Sequence, residues 1–482
     1  MEDKSSIIFG NPMPKGTIKK GLKNKKKYIK KYGDDSKKVY HLKAVPNKTL
    51  DFIGVQNLVL SDEPLKLDEK PFIVGNIRMG FGHYRISIAM ASCAKALGYT
   101  PYWFDLASFD ATGSKVIKEQ NDMYSLASRI SQKSKLFNAL VWEPLNSEGF
   151  KKITYNSTDQ KNAELMAPLC HDLPKDVPYV GTHVWPSQAA VHAGLTHVVN
   201  AIPDNWPMAL HLSEGALHTV QTPFAFLGYK KLNGFAKKEL KHMPKGVLKN
   251  VGHYIDHELV SNLIEDTKKR LDRVQNGKQL RFLMTVGGAG AQYNLFKDMI
   301  SFLVPYLKSG RVTLFINFGD HKNVYEQLNS EIKDYASLNT NYFDDYSSFK
   351  DFVSKIDSSE LKGIYSIYHK DIFEAVYSTN LLMRYSDLLI TKPSELAFYP
   401  VPKLMIQRVG GHEAYGAVHA SEIGDGTYEC RDIESISSMI NLMLEDDEVL
   451  TELNNNILKL NESHTYDGGY EVVKLAVKGF DK

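Results

Sequence analysis

The stretch Pro71-Phe-Ile-Val-Gly75-Asn-Ile-Arg78-Met-Gly80-Phe-Gly82-His83-Tyr-Arg85 reads as a strand, a glycine loop and the start of a helix, and this succession restricts the fold more than any other segment. Phe72 to Ile77 is an apolar run of strand length, and from His83 onward Ile86, Ile88, Ala89, Met90, Cys93, Ala94 and Leu97 recur at helical spacing until Gly98. A strand feeding directly into a helix of this kind belongs to a parallel sheet covered by helices. Gly80 and Gly82 permit a tight turn and close backbone approach, while the helix start aims N–H groups and partial positive charge at the same spot. A phosphate or a developing oxyanion is the matching ligand. A plain βα turn needs only the glycines; His83 and Arg85 add a titratable base and a permanent cation.

The pattern then repeats. Pro101 to Leu106 is a second strand, residues 110 to 170 are helical and polar, and strands follow at Val177 to Thr182, at His197 to Ile202 and near Leu217 to Thr222. Asp204, just past the second of these, sits where open α/β sheets bind ligands, although an aspartate after Pro203 also suits a turn cap. Beyond Val251 to Asp256, Leu259 to Val274 is a charged amphipathic helix, and the succession restarts with the strand Arg281 to Val286, the loop Gly287-Gly288-Ala289-Gly290-Ala291, the helix Tyr293 to Leu307 and the strand Val312 to Phe318. Residues 320 to 360, polar and aspartate-rich, carry little signal. A strand ending at Ile390 leads into Thr391-Lys392-Pro393-Ser394-Glu395, where Ser394 suits a helix cap, and the strand Lys403 to Gln407 opens into Gly410-Gly411-His412-Glu413. Helices are expected at Ile433 to Leu444, Asp446 to Leu460 and Gly468 to Gly479. The expected architecture is α/β, with a basic arm (1–68), a Rossmann-like domain (69–256) and a second Rossmann-like domain (257–482) whose last helix crosses back, the two doubly wound domains facing a cleft.

A chain of 482 residues with 43% hydrophobic and 24% charged residues is long enough for two cores and has an ordinary soluble composition. Cys93, Cys170 and Cys430 are too few and too scattered for a disulfide framework, which suits a reducing, cytoplasmic setting. The first residues lack a charged region followed by an apolar core, so no secretory signal is expected, and the longest uncharged stretch, 177–203, is interrupted by prolines and histidines. Charge is uneven: residues 1–45 hold thirteen lysines against four acidic residues, a net +9 within an overall +3, which leaves the remainder at −6. The run Lys19 to Lys31 reads as a solvated, mobile arm, either a solubility device or a peripheral contact with an anionic inner leaflet. Nucleic acid is the less favoured partner, because no arginine and few aromatics accompany the lysines.

In order and topology, residues 70–465 resemble the GT-B glycosyltransferases, and within them the family 28 enzymes, represented by monogalactosyldiacylglycerol synthase and the lipid II N-acetylglucosaminyltransferase. Gly80-Phe-Gly82-His83 stands where those enzymes have Gly-Gly-His, Gly287 to Gly290 where a glycine loop opens the donor domain, and Asp387-Leu-Leu-Ile-Thr-Lys392-Pro with Glu395, Pro402 and Gly411-His412-Glu413 in the donor motif. The chain departs from the family at Pro393-Ser394, where several glycines are usual, at His412, which replaces a glutamine, and at Gly416, which replaces an asparagine.

The resemblance implies inverting transfer of a sugar from a nucleotide-sugar, UDP-linked as in the family, to an acceptor hydroxyl on a lipid or glycan. It implies His83 as general base; Gly287, Gly288, Gly290, Lys392, Glu395, His412 and Glu413 on the donor side, with Glu395 on the ribose hydroxyls; and Gly80, Gly82, Arg85 and Asp204 on the acceptor or phosphate side. No cofactor or metal is expected: there is no Asp-x-Asp motif after a strand, and neither His183, His192 and His197 nor His253 and His257 are joined by a cysteine or carboxylate at ligand spacing. Two alternatives stay open, a UDP-sugar 2-epimerase-like enzyme and a non-catalytic protein of the same fold.

Overall fold

The computed structural model describes residues 3–78, 80–133, 149–287 and 292–479, and the chain divides into two compact units, Met1–His257 with Asp467–Lys482, and Glu258–Tyr466. Both are Rossmann-like, doubly wound α/β units.

In the first unit a short hairpin, β1 (Ile7–Ile8) with β2 (Asn11–Pro12), precedes an eight-stranded sheet. Its strands are β3 (His41–Pro46), β4 (Gln56–Ser61), β5 (Pro71–Asn76), β6 (Thr100–Asp105), β7 (Tyr179–Gly181), β8 (Val198–Ala201), β9 (Leu217–Val220) and β10 (Leu248–Asn250). They lie in the order β10-β9-β8-β7-β5-β6-β4-β3, all parallel except β3, which pairs antiparallel with β4. From β5 the chain moves outward to β6, then returns to the other flank of β5 with β7, Val74 standing beside both Trp103 and Val180. Successive connections therefore leave the sheet in opposite directions between β5 and β7, the place where such sheets open a ligand crevice. The helix Phe81–Ala96 follows β5; its residues Tyr84 to Ala94 are all buried, because the sheet lies on one side and the final helix Gly468–Lys478 on the other.

The expected basic arm is instead ordered structure. Lys15–Tyr32 is one helix with no acidic residue, and its Gly21 and Tyr28 are buried against the helix Ile153–Ala163. Charge density had argued for disorder. The fold is decided by a narrow stripe of Ile18, Gly21, Tyr28, Ile29 and Tyr32, by the Lys25–Glu164 ion pair at 2.5 Å and by the Lys31–Glu119 pair at 2.9 Å. Residues 41–61 add the β3–β4 pair to the same sheet, and Asp467–Lys482 returns to this unit.

The second unit holds β11 (Leu280–Thr285), β12 (Val312–Asn317), β13 (Asn339–Phe343), β14 (Ile364–Ile367), β15 (Leu388–Thr391) and β16 (Lys403–Met405), in the order β13-β14-β12-β11-β15-β16 and all parallel. Here the switch lies between β11 and β15, whose neighbours across β11 are registered at Leu283 with Phe315 and with Leu389. The helix Tyr293–Lys308 buries Phe296, Met299, Ile300, Leu303 and Leu307, a 3–4 spacing that accounts for its legibility. The aspartate-rich stretch 320–360 contains β13 and the helices Lys322–Glu331 and Tyr346–Lys355. Among the described residues no helix is long and apolar enough to cross a membrane.

Candidate functional site

At the first switch point Gly80 ends the loop after β5 with φ of 82°, a backbone conformation a side chain would strain, and caps the helix Phe81–Ala96 without a side-chain hydrogen bond. Its position leaves the first-turn N–H groups to backbone or ligand. Gly82 and His83 lie in that first turn. His83 Nδ1 stands 2.8 Å from the carbonyl oxygen of Thr182, the residue that leaves β7. A carbonyl only accepts, so Nδ1 carries the hydrogen and the lone pair of the neutral ring is on Nε2. The same turn is tied further by Ser87, whose hydroxyl donates to the His83 carbonyl at 2.8 Å and lies 2.7 Å from Thr182 Oγ1.

His183 packs edge-on to His83 with ring centroids 4.8 Å apart. Its Nδ1 accepts the Trp185 N–H at 3.2 Å and so caps the helix Val184–His192. Burial, then the neighbouring His83 and His211, hold the His183 imidazole well below its ordinary pKa, against the opposing pull of Asp204. His183 is thus a neutral ring beside the candidate base. Behind it Trp185 Nε1 donates to the buried Asp159 at 2.6 Å, and burial raises that carboxyl to about 7 even with the tryptophan bond opposing the rise.

Asp204, past β8, lies 3.2 Å from His211 Nε2. The other ring nitrogen of His211 lies 2.7 Å from the Tyr229 hydroxyl, which itself accepts the Met208 N–H at 3.2 Å. The assignment that satisfies all three bonds has Tyr229 donating to Nδ1 and His211 donating from Nε2 to Asp204. Arg85 is buried two residues beyond His83 on the same helix. His83, Gly80, Gly82, Arg85 and Asp204 therefore belong to one unit, and His83 and Asp204 leave the same edge of its sheet.

At the second switch point β11 exits through Gly287 and β15 through Thr391 and Lys392. The Thr285 and Thr391 hydroxyls are 3.2 Å apart, and Lys392 Cε passes 3.4 Å from where a Cβ on Gly287 would stand. Lys392 Nζ is ion-paired with Glu413 Oε1. The second carboxylate oxygen accepts the Val409 N–H at 2.7 Å and the Gly410 N–H at 3.2 Å. Burial alone raises the Glu413 carboxyl, but Lys392, His412 and the Val409 N–H outweigh it and hold the group below its ordinary value. Glu413 thus ties the exit of β15 to the loop after β16. His412 lies against Gly410, and Glu395 opens the short helical turn Glu395–Phe398, which Ser394 precedes without a side-chain cap bond. Gly416 is required where it stands: a Cβ there would lie 2.3 Å from the Pro393 carbonyl oxygen, so the helix Ala414–Ile423 presses directly on the loop after Lys392. Gly288 and Gly290 lie outside the described residues.

Sequence reasoning passed over His183 except as a metal ligand, and passed over Thr182, Ser87, His211 and Tyr229. Thr182 and His183 had a usable signal, since they end an apolar strand whose carboxyl end faces the crevice. Of the other histidines considered together, His192 is half-buried and desolvation pushes it down to about 4, and His257 Nδ1 bonds the Tyr470 hydroxyl at 2.6 Å. Among the described residues no three His, Cys, Asp or Glu side chains gather as a metal ion would need.

Solved structures similar to the chain include UDP-GlcNAc 2-epimerase from Neisseria meningitidis bound to UDP-GlcNAc, at 11% identity and a TM-score of 0.46 over 85% of this chain and 100% of that one. They also include α,α-trehalose 6-phosphate synthase from Burkholderia multivorans, at 12% and 0.44 over 85% and 98%, and the UDP-forming α,α-trehalose-phosphate synthase from Burkholderia vietnamiensis, at 11% and 0.42 over 86% and 99%. No curated protein matches the sequence. Two family models do, in tandem along the chain: residues 7–231 match the Domain of unknown function (DUF6937), and residues 243–477 match the Domain of unknown function (DUF6938).

Proposed function

We propose that the chain is an inverting, metal-independent glycosyltransferase of the GT-B type, moving a sugar from a UDP-linked donor to an acceptor hydroxyl. The observation that carries this reading is the His83 Nδ1 to Thr182 bond beyond the end of β7, which leaves Nε2 as the ring's basic nitrogen. In this reading His83 Nε2 takes the acceptor proton as the hydroxyl oxygen attacks the anomeric carbon. The bond from that carbon to the β-phosphate oxygen breaks, its electron pair leaves with UDP, and the configuration inverts. Gly80, Gly82, Arg85 and Asp204 form the acceptor side. The leaving diphosphate is met by backbone N–H groups at Gly287 and by the Lys392 ammonium, which exchanges Glu413 for phosphate oxygens. Glu395 accepts the ribose hydroxyls, and His412 and Glu413 shape the sugar end.

Thermal shift with a panel of nucleotide-sugars tests the donor, because a ligand that binds only the folded chain stabilises it by about 2.7 kcal/mol at a hundred times its Kd. Release of UDP that depends on an added acceptor supports transfer. Sugar-nucleotide conversion without acceptor would identify a 2-epimerase-like enzyme instead, and no shift with any nucleotide-sugar would leave a non-catalytic protein.

A further inference from the structure

The helix Lys15–Tyr32 carries nine lysines and no acidic residue. At about 100° per residue, eight of the nine, from Lys15 to Lys31, fall within an arc of roughly 160°. Every one of the eight is exposed; Lys25, on the far side, pairs with Glu164. Lys31 is matched by Glu119, and among the described residues the other seven form no ion pair. A second basic segment, 223–249, has seven lysines against Glu239 alone. The two are built on one core: Ile18 of the helix packs on the cluster that contains Ala225, Tyr229, Leu232 and Met243, and the Asn11 side chain bonds the Lys241 carbonyl and N–H at 2.9 and 2.8 Å. Large apolar side chains stand out within these two segments, Leu227 at 67%, Phe224 at 43% and Leu22 at 42% exposure.

We propose that the first unit docks on an anionic lipid surface through the lysine face of Lys15–Tyr32 and the neighbouring segment 223–249, with Phe224 and Leu227 entering the interfacial layer. Lysines held on a rigid helix bring their charges to a membrane plane together, without the ordering cost of a mobile arm. The exposed apolar side chains favour lipid over nucleic acid, since they gain from an acyl boundary and nothing from a phosphate backbone. The absence of arginine from both segments points the same way, because arginine is the side chain suited to bidentate phosphate and base-edge contacts. The rest of the chain is acidic, so the charge asymmetry would turn this face toward a negative surface.

Vesicle flotation with the full chain tests the proposal. Binding is expected to phosphatidylcholine vesicles containing phosphatidylserine and not to phosphatidylcholine alone, and to fall as salt rises. Replacing Lys19, Lys23 and Lys26 together by glutamine should weaken partitioning on the order of 10²-fold, about five-fold per lysine. The matched triple change Lys333→Gln, Lys350→Gln and Lys355→Gln in the second unit should leave it unchanged, and Leu227→Ser should lower it without altering the salt dependence. No binding to the anionic vesicles at low salt, equal binding to neutral ones, equal loss from the control triple, or tighter binding to duplex DNA at the same salt would each overturn it.

Discussion

His83 and Thr182, ninety-nine residues apart in sequence, meet where β5 and β7 leave the sheet, the imidazole Nδ1 standing 2.8 Å from the carbonyl oxygen. The bond orients the ring as second-sphere acceptors orient catalytic histidines, with the proton on one nitrogen and the lone pair on the other. His83→Ala should therefore lower turnover by about 10² to 10⁴-fold while the Kd for UDP, read by calorimetry, stays nearly constant. Parallel losses in rate and UDP affinity would mean that the ring holds an anion instead.

Asp159 gives a pH-dependent prediction. Its carboxyl is buried against Trp185 and raised to about 7 from an unfolded value of 3.8. A raised folded value means that the contribution to stability is complete at pH below about 4 and is lost as pH climbs through 7. The loss is about 4 kcal/mol for a shift of this size. Asp159→Asn keeps an acceptor for Trp185 Nε1 and cannot ionise, so urea unfolding should find it more stable than the parent at pH 8, with that advantage gone or reversed at pH 4. A difference that stays constant across this range would show that Asp159 does not titrate in the window.

Glu395 begins the turn Glu395–Phe398 just after the Lys392 loop, at the edge where the donor is assigned. Glu395→Ala removes the carboxylate that would accept two ribose hydroxyls, and charge-assisted bonds of this kind are each worth about 1.5–3 kcal/mol. UDP should bind at least ten-fold more weakly, and the UDP-induced rise in melting temperature should shrink relative to the variant's own unliganded baseline. Unchanged UDP affinity would take Glu395 out of the site.

Much of this organisation was legible before any coordinates, and the reasons are particular. Phe72 to Ile77 and Arg281 to Val286 are buried strands whose apolar runs end at glycines, and Phe296, Met299, Ile300 and Leu303 repeat at helical spacing, so both βα units announce themselves locally. The helix Lys15–Tyr32 did not, because nine lysines mask a stripe only a few side chains wide, whose partner helix lies more than a hundred residues away. The pair β3 and β4 lies at the sheet's edge, where burial imposes no full alternation. His183 matters through His83, and Glu413 through Lys392. Such pairings are made by the sheet bringing strand exits together, and nothing local in the sequence encodes them.

The Lys392–Glu413 pair supplies the last prediction. Glu413 uses one oxygen for the ammonium and the other for the N–H groups of Val409 and Gly410, so it serves as an acceptor in both directions. Glutamine has a single oxygen, and its amide group must point a donor either at Lys392 or at the two N–H groups. Glu413→Gln should then destabilise the chain by about 3 kcal/mol, the usual scale for one broken buried ion pair. Lys392→Met with Glu413→Gln should cost less than the sum of the two single changes, because both single changes break the same pair. UDP should separate charge from scaffold. If Lys392 exchanges Glu413 for the diphosphate, Lys392→Met loses most of the UDP-induced rise in melting temperature, whereas Glu413→Gln keeps it relative to its own lower baseline. Additive stabilities together with an undiminished UDP shift in Lys392→Met would reduce the pair to a structural tie.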